Sequence, residues 1–81
     1  MNYKTTGVCS RYIHVDVADE VITHVDFEGG CDGNLQGISQ LVRGMNISDA
    51  ITRLEGIKCH SKATSCPDQL AQALKEIVNQ K

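Results

Sequence analysis

Four cysteines carry the clearest chemical potential of this chain: Cys9, Cys31, Cys59 and Cys66. Each stands at the edge of a patterned stretch. Cys9 precedes an alternating run, Cys31 sits in "GGCDGN", and Cys59 and Cys66 bound the loop "CHSKATSC". Thiolates are soft ligands, and four of them form the tetrahedral set that holds zinc or an iron–sulfur cluster. The spacing is less specific than the donor count, because no C-x-x-C pair occurs. The loop between Cys59 and Cys66 is nevertheless wide enough to bring both to one ion.

The plainer reading treats cysteines as small buried hydrophobes. It weakens for four cysteines, none of which falls within an apolar helix stripe. His60 adjoins Cys59 and could replace it as a ligand, although a solvated loop histidine is the simpler account. His14 and His24 fall on the less apolar side of an alternating stretch. Asp16, Asp19, Asp26, Glu28 and Asp32 read as strand-surface and turn residues, with no pair placed for acid–base work. Lys58 and Lys62 flank Cys59 and read first as loop solubility. "GGCDGN" matches neither the phosphate-binding loop nor the dinucleotide fingerprint.

Something must position these thiols. In "SRYIHVDVADEVITHVDFEGG", Ile13, Val15 and Val17 alternate with Tyr12, His14 and Asp16. After Ala18-Asp19-Glu20, Val21, Thr23, Val25 and Phe27 share a face opposite Ile22, His24, Asp26 and Glu28. Period two on both sides of a short connection predicts a β-hairpin, with "NYKTT" a candidate third strand. Asn34 then caps a helix carrying Leu35, Ile38, Leu41, Val42 and Met45, with Gly44 near its end. Ser48 caps a second helix with Ala50, Ile51 and Leu54, stopped by Gly56. Pro67 opens a third, with Leu70, Ala71, Leu74, Ile77 and Val78 in one stripe. A Pro67 start puts Cys66 at the N-cap, over the N–H groups of Asp68 and Gln69, where a thiolate is favoured. The fold class is therefore α+β: a small antiparallel sheet of two or three strands, then three helices on one face. Antiparallel pairing brings Cys9 beside Cys31.

With 81 residues the chain makes one domain, residues 1–81, with a thin core and one Phe, two Tyr and no Trp. A net charge of −2 without a basic run argues against DNA or RNA binding. No apolar run marks a secretory signal or a membrane span, so the expected location is cytoplasmic. In that compartment several cysteines point to metal or redox chemistry rather than structural disulfides.

"TSCPDQLAQAL", with "GVCS", "GGCDGN", "GISQLVRGM" and "LEGIKC", closely resembles the TSCPD-domain family from Gly7 to Leu74. The resemblance implies metal ligation by the cysteines. It also implies kinship with a segment at the C-terminal end of some ribonucleotide reductases, notably cobalamin-dependent ones. Members commonly carry Cys-Gly where this chain has Cys59-His60. A more distant resemblance, to NifU-type iron–sulfur cluster scaffold proteins, rests on Cys9, Cys31, Cys66, "GGCDGN" and "LVRGMNISDAI". It implies an iron–sulfur-scaffold-like fold in which three cysteines converge. Arg11 and Ser65 depart from that family's aspartate and histidine, and Cys59 has no counterpart there, so cluster assembly is not carried over.

The leading expectation is a metal-binding module with Cys9, Cys31, Cys59 and Cys66 as ligands, zinc favoured over an iron–sulfur cluster. The second is an accessory or redox domain of ribonucleotide reduction, with Cys59 and Cys66 as a reversible disulfide and a ribonucleotide reductase as partner. The third is a nucleotide- or protein-binding module with a structural metal. The chain is too short to be a complete reductase.

Overall fold

The alternation of residues 10–29 builds a hairpin of two nine-residue strands, β2 (Ser10–Ala18) and β3 (Val21–Gly29). The computed structural model describes residues 1–8, 10–29, 32–58 and 62–80. Asp19 and Glu20 form the turn, both with positive φ, at 52° and 69°. Two left-handed residues in a two-residue connection match the right-handed twist of the flanking strands. "NYKTT" does supply a third strand. β1 (Asn2–Lys4) pairs antiparallel with β2, giving the order β1-β2-β3.

Three helices follow: α1 (Asp32–Val42), α2 (Ile47–Leu54) and α3 (Cys66–Asn79). The arrangement is α+β, as expected. Helix α1 packs on β3, α3 packs on β2, and α2 packs on α3. Ile13, Val15, Ile22, Val25, Val42, Ile47, Ala50, Leu70 and Leu74 form one buried core among them. The chain between α1 and α2 runs along the outer side of β3. The Ile22 N–H donates to the Met45 carbonyl at 2.9 Å, and the Gly44 N–H donates to the Ile22 carbonyl at 2.8 Å.

The strands depart from strict alternation at two places. Asp16 pairs with His24 but Val17 pairs with Ile22, so Thr23 is an extra residue on β3. Such a bulge advances the side-chain phase by one residue. Ile22 consequently lies in the core, fully buried, and Thr23 faces solvent, where its hydroxyl donates to the Asp16 carbonyl. This corrects the expected face of Val21, Thr23, Val25 and Phe27: Val25 is buried, and Val21 and Phe27 are half-buried. The second shift lies between the Ser10–Gly29 and Tyr12–Glu28 pairs, with Arg11 the extra residue. It turns Ser10 inward, to 1% exposure, three residues from buried Ile13.

The helix starts also differ from expectation. Helix α1 begins at Asp32, so Asn34 lies inside it, and Leu41 is exposed instead of packed. Asn46, not Ser48, caps α2, its side-chain oxygen accepting the Ser48 N–H at 2.9 Å. Gly44 and Gly56 occupy left-handed conformations just past α1 and α2, where a glycine carries no Cβ penalty. Among the described residues no helix is long and apolar enough to cross a membrane.

Candidate functional site

Cys66 is the cysteine whose surroundings the structure describes. It is the first residue of α3, not its cap. Ser65 is the cap, extended at φ −148° and ψ 170°, and its hydroxyl accepts the Asp68 N–H at 3.2 Å. The Ser65 carbonyl takes the Gln69 N–H at 2.8 Å. Both N–H groups expected to face the Cys66 sulfur therefore go to Ser65. The cause is the position of Pro67, which tolerates either of the first two helical positions because its missing N–H has no helical partner there.

The Cys66 sulfur, half-buried, turns instead toward β2. Its Sγ lies 3.2 Å from the Ser10 Oγ. Against a thiolate, only the hydroxyl can donate. The bulge at Arg11 is what aims Ser10 at this sulfur. Thr5 fixes the same strand end, its hydroxyl donating to the Ser10 carbonyl and its N–H to the Arg11 carbonyl.

The polar residues around Cys66 fasten three chain segments to the start of α3. Asp68 is buried, and its carboxylate accepts the Gly56 N–H at 2.7 Å and the Thr64 hydroxyl. Burial pushes this carboxyl up. The hydrogen bonds from Thr64, Gly56 and Gln72, with the nearby Lys75 charge, outweigh that and hold it below the usual carboxylate range. The Ser65 hydroxyl donates to the Ile57 carbonyl at 2.7 Å. Gln69, also buried, accepts the Thr6 N–H at 3.1 Å and donates to the Thr64 hydroxyl at 3.0 Å. A Cβ on Gly7 would come within 3.3 Å of the Thr64 methyl, so the loop at residues 6–8 rests against residue 64. Among the described residues, every buried side-chain nitrogen and oxygen has a partner. Tyr3 lies on the same side of the domain. Burial, then the charges of Glu76 and Asp68, push its phenol up.

Cys9, Cys31, Cys59 and His60 lie outside the described residues. Among the described residues no three histidine, cysteine or carboxylate side chains gather as a metal site. His14 and His24 occupy the open sheet face, opposite Asp26 and Asp16 respectively. His14 contacts Asn2, and Glu28 at 3.5 Å, which is an ordinary polar sheet surface. Sequence reasoning missed Ser10, Thr64, Asp68 and Gln69. Only Ser65 and Asp68, three residues apart, gave a cue, since a serine that far ahead of an acidic residue marks a helix start.

The residues that converge here include all five of Thr64-Ser65-Cys66-Pro67-Asp68. The chain belongs to the TSCPD domain family, whose model matches residues 1–78. No curated protein and no solved structure matches it.

Proposed function

We propose that this TSCPD domain is a cysteine-based metal-binding module in which Cys9, Cys31, Cys59 and Cys66 hold one zinc ion, with an iron–sulfur cluster as the alternative. The observation that carries this reading is the 3.2 Å approach of Ser10 to Cys66. Ser10 directly follows Cys9 and pairs with Gly29, two residues before Cys31. Ser65, beside Cys66, holds Ile57, two residues before Cys59. The described neighbours of all four cysteines thus belong to one connected hydrogen-bonded set.

The donor set fits the group. Four thiolates give zinc a closed tetrahedral site, which contributes folding free energy and leaves no open position for substrate. The Ser10 hydroxyl supplies a hydrogen bond to a ligating sulfur, the kind of partner that orients a ligand and tempers its charge. The test is metal analysis with absorption spectra on protein purified without oxygen. One zinc per chain, lost in each Cys→Ser variant, is expected; an absorbing iron chromophore selects the cluster. A metal-free, colourless protein that remains folded overturns the reading.

A second reading is a dithiol relay for a ribonucleotide-reductase partner. Cys59 and Cys66 would pass two electrons and two protons to an oxidised disulfide on that partner. The Ser65–Ile57 bond supports it, because it ties the chain near Cys59 to the residue beside Cys66. Thiol titration across a glutathione redox series decides it. A Cys59–Cys66 disulfide that never forms at mild potential removes this reading.

A further inference from the structure

The groove where α1 meets α2 borders the core at Val42 and lies outside the cysteine set. Leu41, Val42, Met45, Asp49, Arg53 and Leu54 line it, and its volume is about 490 Å³. Leu41 stands 77% exposed, although it follows the apolar spacing of α1. Beside it, Met45 and Leu54 are only half-buried. The apolar centre is flanked by one acid and one base. Asp49 and Arg53 are four residues apart on α2, both exposed, and neither forms an ion pair among the described residues.

This charge layout is complementary to itself. A twofold axis through the groove runs α2 antiparallel to α2 of a second copy. Asp49 of each copy then faces Arg53 of the other, and the same surface serves both sides. We propose that this groove is the interface of a symmetric dimer. Leu41 of each copy seats against Met45 and Leu54 of the other, and two Asp49–Arg53 pairs close the rim. A domain of 81 residues buries a smaller share of its surface than a large one, so covering this patch contributes to stability. The proposal stands on residues outside the cysteine set, so it holds or fails independently of metal binding.

Sedimentation equilibrium of the full chain, from micromolar to millimolar concentration, tests it. The wild type should dimerise. Leu41→Glu should be monomeric across that range, with an unchanged far-ultraviolet spectrum, since Leu41 is exposed within the single copy. Asp49→Arg and Arg53→Asp should each weaken self-association about tenfold or more, by placing like charges face to face. An equimolar mixture of those two variants should associate again, because each restores the other's pairing. A monomeric wild type, a dimer insensitive to Leu41→Glu, or variants that stay apart when mixed would each overturn the proposal.

Discussion

The carboxylate of Asp68 accepts the backbone N–H of Gly56 at 2.7 Å, so the helix that begins with Cys66 holds the end of the helix before it. The same carboxylate takes the Thr64 hydroxyl. Removing it takes the acceptor from the Gly56 N–H and the Thr64 hydroxyl, and from Gln72, at a part-buried position. Asp68→Ala should therefore cost about 2–4 kcal/mol, from about 1–3 for each donor left unsatisfied less partial rescue by water. Urea denaturation at neutral pH measures this.

The same group sets an acid limit. Its folded-state value is depressed, because the bonds from Thr64, Gly56 and Gln72 and the Lys75 charge overcome burial. Its contribution is complete above the unfolded-state value of about 4 and is lost as pH falls from there through the folded value. The urea midpoint of the wild type should drop over that window. Asp68→Asn should flatten the drop.

Ser65 acts in two directions, accepting from the Asp68 N–H and donating to the Ile57 carbonyl. Ser65→Ala should cost about 1–2 kcal/mol, the range for a lost cap. Ser65→Asp keeps the cap acceptor but sets a carboxylate against the Ile57 carbonyl, so it should not recover the full loss. Amide exchange at residues 56–58 should speed up in both variants.

Gly7 sits at φ 70°, with its missing Cβ 3.3 Å from the Thr64 methyl. Gly7→Ala meets two obstacles: the left-handed backbone and the nearby methyl. It should cost about 1–2 kcal/mol. Because Thr6 is bonded to Gln69, the loosening should show as a changed Gln69 side-chain amide resonance.

The Lys75–Glu55 pair, at 2.7 Å, joins α3 to the end of α2 as Asp68 does, but both side chains are about two-fifths exposed. Exposed pairs contribute little, so Glu55→Gln should change stability by less than about 1 kcal/mol. The contrast with Asp68→Ala separates a buried fastening from a surface contact at the same joint.

The hairpin and the three helices were legible because their apolar periods, two and then close to 3.6, largely survive in the fold. The failures have local causes. A bulge adds one residue and flips every later side chain, which no pattern in "VITHVDF" announces. The Cys66 cap assignment failed because Pro67 tolerates either of two neighbouring positions, and Ser65 offered the better acceptor. The expected Asn34 cap failed because α1 starts two residues earlier. The polar set around Cys66 was illegible for another reason. Thr6, Gln69, Gly56 and Asp68 meet only through tertiary packing, and the Thr6–Gln69 contact closes over 63 residues.

The extra residue at Arg11 makes β2 a strand with two phases, one for its hydroxyl end and one for its apolar end. Inserting one residue into β3 between Glu28 and Gly29, opposite Arg11, would remove the bulge and leave Ile13 and Val15 in the core while rotating Ser10 to the solvent side. The Cys66 sulfur would then lose its hydroxyl neighbour with the hairpin otherwise whole. A one-residue change in chain length, with no change in any side chain nearby, would uncouple the sheet from the thiol.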